Sequence, residues 1–117
     1  MEYDLEERTK KFGKKILEFI LTINQNQANK NVIGQLARSV TSVGANYCEA
    51  NAASSKKDFT NKIFISKKEI QETKFWIEML AVTNPEQKDK LREFWKEAHE
   101  QTLIFGKIVQ SLRHSKI

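Results

Sequence analysis

Apolar residues return at every third or fourth position through almost the whole chain, and very little interrupts them. The 117 residues include four glycines and one proline. A fold rich in β-strands needs frequent turns, and turns draw on the residues that are scarce here. Helices with few breaks are what this pattern permits.

In the first segment Leu5, Phe12, Ile16, Phe19, Ile20 and Ile23 fall on one stripe when each residue advances by about 100°. The polar stretch "NQNQANKN" ends it. The second segment places Ile33, Leu36, Ala37, Val40, Val43, Gly44 and Tyr47 on one face, with Asn29 or Asn31 as its N-cap. Ser55 followed by Asp58 resembles a capping box and opens the third segment, whose stripe is Phe59, Ile63, Ile70, Ile77 and Ala81. In "TNPEQ", Asn84 suits a cap, Pro85 the first helical position and Gln87 a capping partner. The fourth segment turns Leu91, Phe94, Trp95, Ala98, Thr102, Phe105, Ile108, Val109 and Leu112 inward. It ends in the basic "RHSKI", which complements the negative end of a helix dipole. The expected architecture is all-α: an antiparallel up-and-down four-helix bundle forming one domain over residues 1–117.

Small residues cluster in "SVGANYCEAN". With Ala37, Gly44 and Cys48 close to the apolar stripe, a neighbouring helix can approach more closely than the usual 8–10 Å. A glycine inside a helix costs up to about 1 kcal/mol relative to alanine, and tight packing offsets that cost.

The third segment has more apolar residues than one core requires. Phe64 and Phe75 are eleven positions apart, so they point almost the same way, and Ile65 and Trp76 share that spacing. With Met79 they make a second apolar surface. A helix apolar on two sides is normally buried on two sides, so this surface is expected to form a homo-oligomer interface.

No catalytic constellation is visible. Lys96 and Ser111 stand three residues before His99 and His114, where a bundle di-iron motif requires glutamate. One cysteine, Cys48, and two histidines give no zinc signature. The glycines are scattered, so no loop cradles a phosphate. No catalytic, metal or cofactor residue is therefore expected, and the chain reads as non-enzymatic. Glu49 and Asn46 are read as structural. With no apolar run long enough to span a membrane, no signal-peptide core and a single cysteine, the expected location is the cytoplasm.

The net charge is +5. Arg8, Lys10, Lys11, Lys14 and Lys15 concentrate in "RTKKFGKK", mainly off the apolar stripe, and are the candidate contacts to RNA or DNA. Lys56, Lys57, Lys62, Lys67, Lys68 and Lys74 add to the charge of the third segment. Two readings follow: a nucleic-acid-binding bundle, with or without a docked protein, or a protein-interaction scaffold whose lysines keep it in solution.

The stretch from "SVGAN" and Glu49 through "SSKKDF" to "SKKEIQETKFWIEML" resembles the 23S-rRNA intervening-sequence protein family over about residues 36–80. The resemblance implies a compact antiparallel bundle and assembly into pentamers. It also implies kinship with accessory proteins of diversity-generating retroelements, which bind nucleic acid through a basic surface. It carries over no catalytic residue. Ala50 stands where many members have glycine and Ala53 where many have arginine, so roles tied to those two residues do not transfer.

Overall fold

A computed structural model describes residues 4–114. They form four helices: α1 (Leu5–Leu21), α2 (Lys30–Asn51), α3 (Lys56–Thr83) and α4 (Lys88–His114). No strand is present among the described residues. Cross-helix pairs fix the directions. Ser39 meets Thr73 while Glu49 meets Lys62, so α2 and α3 are antiparallel. Lys74 meets His99 and Glu78 meets Trp95, so α3 and α4 are too. Arg8 meets Glu97, and the Phe12 ring lies tilted beside Phe94, which closes α1 onto α4 in the opposite sense. The result is the expected up-and-down bundle.

The apolar stripes form its centre. Ile16, Leu36, Ile63, Ile70, Leu80, Ala98 and Phe105 have no exposed surface. Phe12 and Phe19 set their rings 6.2 and 5.2 Å from Phe94, and Tyr47 meets Phe105 edge-on at 5.7 Å. Polar residues also reach the interior, each beside another polar group. Ser66 donates to the Val43 carbonyl, and the Ser39 and Thr73 hydroxyls lie 3.0 Å apart. These contacts join α2 to α3 where both helices are closely packed.

The helix starts follow the expected chemistry in one case and depart from it in two. The Ser55 hydroxyl accepts from the Asp58 amide at 3.0 Å, as a cap should. Asn29 does precede α2, but its side chain caps nothing. It is fully buried, with its Oδ1 accepting from the Asn26 amide and its Nδ2 donating to the Asn24 carbonyl and to Asn84 Oδ1. Asn84 departs for the same reason. Its side chain is engaged by Asn29, Thr83 and Glu86 and caps nothing, but Pro85 does take the first helical position, in a 3₁₀ turn, Pro85–Gln87, that runs directly into α4 at Lys88. Gln87 is no capping partner; its amide donates to the Asn84 carbonyl. The Asn29–Asn84 bond therefore ties the α1–α2 connection to the α3–α4 connection. Ser115, Lys116 and Ile117 of the basic tail lie outside the described residues.

The small residues of α2 face α1. A Cβ placed on Gly44 would meet Thr9 Oγ1 at 3.5 Å and the Thr9 carbonyl carbon at 3.6 Å, and one on Gly13 would meet the Val40 carbonyl at 3.7 Å. One methyl group fits at van der Waals contact, and a longer side chain directed the same way meets the α1 backbone. Gly44→Ala is therefore expected to be neutral or stabilising by up to about 1 kcal/mol through helix propensity. Gly44→Leu drives its branch into the α1 backbone and should cost about 1–3 kcal/mol. Urea denaturation of the two variants beside the parent gives opposite signs if the packing is as described.

Candidate functional site

The first candidate surface is the outer side of α1. Arg8 is not free to meet a ligand there. Its guanidinium forks onto Glu97 at 2.6 and 2.8 Å and reaches Glu100 at 2.6 Å. The hydrogen bond to Glu97 pushes Arg8 further above its already basic range. Burial works to raise Glu97, but the bonds from Arg8 and Gln101 outweigh it and hold that carboxyl below the usual range. Lys10 pairs with Glu7 at 3.6 Å. Lys11, Lys14 and Lys15 are exposed and form no direct ion pair among the described residues. Lys11 and Lys15 rim an open groove of ≈ 780 Å³ between α1 and α4, with Phe12 and Phe94 beneath and Lys90 opposite. Glu18 and Glu93 share that rim and dilute its charge.

The second surface is the outward side of α3, and α2 and α4 divide it into two edges. Toward α2 lie Ile65 and Trp76, both half-buried. The Trp76 ring packs against the core cluster and its indole N–H donates to Glu72 at 3.0 Å. Glu72 is also paired with Arg38 of α2, as is Glu69. The Trp76 bond, with help from Arg38, holds the Glu72 carboxyl below its ordinary range. Met79, half-buried, follows along the outer side.

Toward α4 lie Phe64 and Phe75, which are 38% and 48% exposed. The Phe75 ring touches Trp76 edge-on at 4.8 Å, so the two edges are continuous at that point. The Arg113 guanidinium of α4 stands 5.7 Å from the centre of the Phe64 ring. Lys57, Lys67 and Lys68 belong to the same outward arc by helical position. Sequence reasoning singled out the aromatics but did not join them to these lysines, although the spacing of 57, 64, 68 and 75 held that signal.

Glu49, Asn46, Cys48 and His99 are structurally committed. Glu49 pairs with Lys62 at 2.7 Å, and Asn46 bonds back to Ser42. Cys48 lies 3.3 Å from Glu6, and the bond to that carboxylate pushes its thiol up. The imidazole Nδ1 of His99 lies 3.0 Å from Lys74 Nζ, and its ring stacks on Trp95. Among the described residues no three His, Cys, Asp or Glu side chains converge as a metal site would require. No helix there is long and apolar enough to cross a membrane.

The model of the 23S rRNA-intervening sequence protein family matches residues 1–108. The chain belongs to that family. One similar solved structure is a protein of unknown function from the S23 ribosomal protein family of Bacteroides thetaiotaomicron. It is 28% identical, with a TM-score of 0.81 over 91% of this chain and 98% of that one. No curated protein matches. The intervening-sequence family match extends over α1, α2, α3 and most of α4, beyond the middle segment whose motifs first suggested it.

Proposed function

We propose that this intervening-sequence family protein is a non-enzymatic, oligomeric helical bundle that binds RNA or DNA through its basic outer faces. The observation that carries the reading is a set of exposed lysines with no carboxylate partner. Lys11, Lys14 and Lys15 on α1 and Lys57 on α3, with half-buried Lys67, form no direct ion pair among the described residues. Such groups release counterions from a phosphate backbone when they bind, and the binding is salt-dependent. The name of the family links its members to 23S rRNA, which supports a polyanionic partner. The kinship with retroelement accessory proteins that the sequence resemblance implies points the same way.

The test is fluorescence anisotropy with labelled RNA and DNA of mixed sequence across a salt series. Affinity should fall as salt rises, with a slope of about −0.7 to −0.9 per phosphate contacted. Glutamine at Lys11, Lys14 and Lys15 should flatten that slope if α1 contributes. Absence of binding at low salt would leave the scaffold reading in its place.

The apolar edge formed by Ile65, Trp76 and Met79 favours a second copy of the chain as a further partner. These side chains lie on the outward half of a helix whose inward half already fills the core. Light scattering on the eluting protein should give a multiple of 13.6 kDa, five-fold if the assembly follows the resemblance. A monomer at micromolar concentration would remove this part of the proposal.

A further inference from the structure

We infer that the α4-facing arc of α3 binds single-stranded nucleic acid, with bases stacked on Phe64 and Phe75 and phosphates held by Lys57, Lys67, Lys68 and Arg113. This rests on the polyanion reading above and narrows it to one face and one substrate class.

Four observations converge. Between Lys57 and Phe75 this arc contains no carboxylate, whereas the rim of the α1–α4 groove mixes both signs. The nearest acids are Glu72 on the other edge, held by Arg38 and Trp76, and Glu78, three residues beyond Phe75, which accepts from the Trp95 indole of α4. Phe64 and Phe75 are the exposed aromatics of the chain's described residues, and they share nearly one azimuth. Eleven residues of helix separate them by about 16 Å, with Lys67 and Lys68 between. Arg113 completes the Phe64 site from α4, where a guanidinium over an aromatic face can also stack against a base.

Alternating cations and accessible rings is the arrangement that holds an unpaired strand, since every base has a face to stack and every nucleotide a phosphate. A duplex keeps its base faces covered and gains nothing from the two rings. A second copy of this chain is a poor occupant. A two-fold contact would set lysine against lysine, and in a ring, where unlike patches meet, a neighbour would have to bury these lysines against an acidic surface.

The experiment compares labelled oligo(dT) with a duplex of the same length, using the full chain and three variants: Phe64→Leu, Phe75→Leu and the pair Lys67→Gln/Lys68→Gln. The strand should bind more tightly than the duplex at equal salt. Each leucine variant should lose about 10-fold in strand affinity, keep its salt slope and leave duplex binding unchanged. The glutamine pair should weaken both ligands and reduce the slope. Circular dichroism should remain that of the parent, because both rings are at the surface.

Equal binding of strand and duplex, unaffected by the leucine variants, overturns the inference and leaves the broader polyanion reading standing. Absence of binding to either ligand overturns both. A fall in assembly mass on Phe64→Leu or Phe75→Leu with strand affinity intact would assign the rings to a subunit contact and also overturn it.

Discussion

Asn29→Asp should destabilise the protein by about 3–5 kcal/mol near neutral pH, although it exchanges only an amide nitrogen for an oxygen. The side chain is completely buried. Its Nδ2 donates to the Asn24 carbonyl and to Asn84 Oδ1, each at 3.1 Å. An aspartate there presents an acceptor to two acceptors and places an unpaired charge where water does not reach. Burial favours the neutral acid, so the folded-state pKa of the new carboxyl rises above its unfolded value of about 3.9. Between those two values the native state binds more protons than the unfolded state, and stability falls as pH rises. The deficit should therefore be smallest near about pH 4 and grow toward neutrality until the folded pKa is passed. Urea denaturation of variant and parent across this range gives the difference curve. A deficit constant with pH would mean that lost donors, and no buried charge, account for the effect.

Phe105→Ala should cost about 3–5 kcal/mol, a large part of the ~5–15 kcal/mol that holds a domain of this size together. Phe105 has no exposed surface, and its ring takes the edge of Tyr47 at 5.7 Å between α4 and α2. Truncation opens a cavity in the middle of the bundle, where the helices cannot close without moving their other contacts. Leu103, two positions earlier, is 54% exposed, and Leu103→Ala should change stability by no more than about 0.5 kcal/mol. Urea midpoints at one fixed protein concentration compare the two, since association links stability to concentration. Similar losses in both would contradict the inward placement of Phe105.

Helical periodicity exposed the stripes that became the core, because Ile16, Leu36, Ile63, Ile70 and Phe105 are apolar at positions that must face inward. It passed over Ser39, Ser66, Thr73 and Gln101, which sit at equally inward positions but are polar. Ser39, Ser66 and Thr73 find partners across the α2–α3 contact, which no local pattern announces, whereas Gln101 donates within α4 to Glu97 and leaves its Oε1 without a partner among the described residues. Before α4 the helical segment opens at Pro85 as expected, and only the cap departs, for a related reason. Asn84 has the chemistry of a cap, but a side chain 55 positions earlier claims it.

At the candidate site the limits are similar. The helical register of Phe64 and Phe75 is local information and was readable. The division of that surface into an α2 edge and an α4 edge was not, because it depends on which neighbours flank α3. Arg8 looked available beside Lys10 and Lys11, yet Glu97, 89 positions away, holds it. A cation's freedom is set by carboxylates the fold brings near, and those are invisible in a local window.

The bond between Asn29 and Asn84 laces both connections at one pole, while at the opposite pole Glu6 joins the start of α1 to Cys48 and Asn51 of α2, and Glu49 joins α2 to Lys62 of α3. The last turns of α4 are held there by ring contacts, Phe105 against Tyr47 and Arg113 over Phe64. Thermal splaying should therefore be widest at that tip, so the arm that carries Arg113 is the part of the molecule freest to swing out and admit a strand beside Phe64.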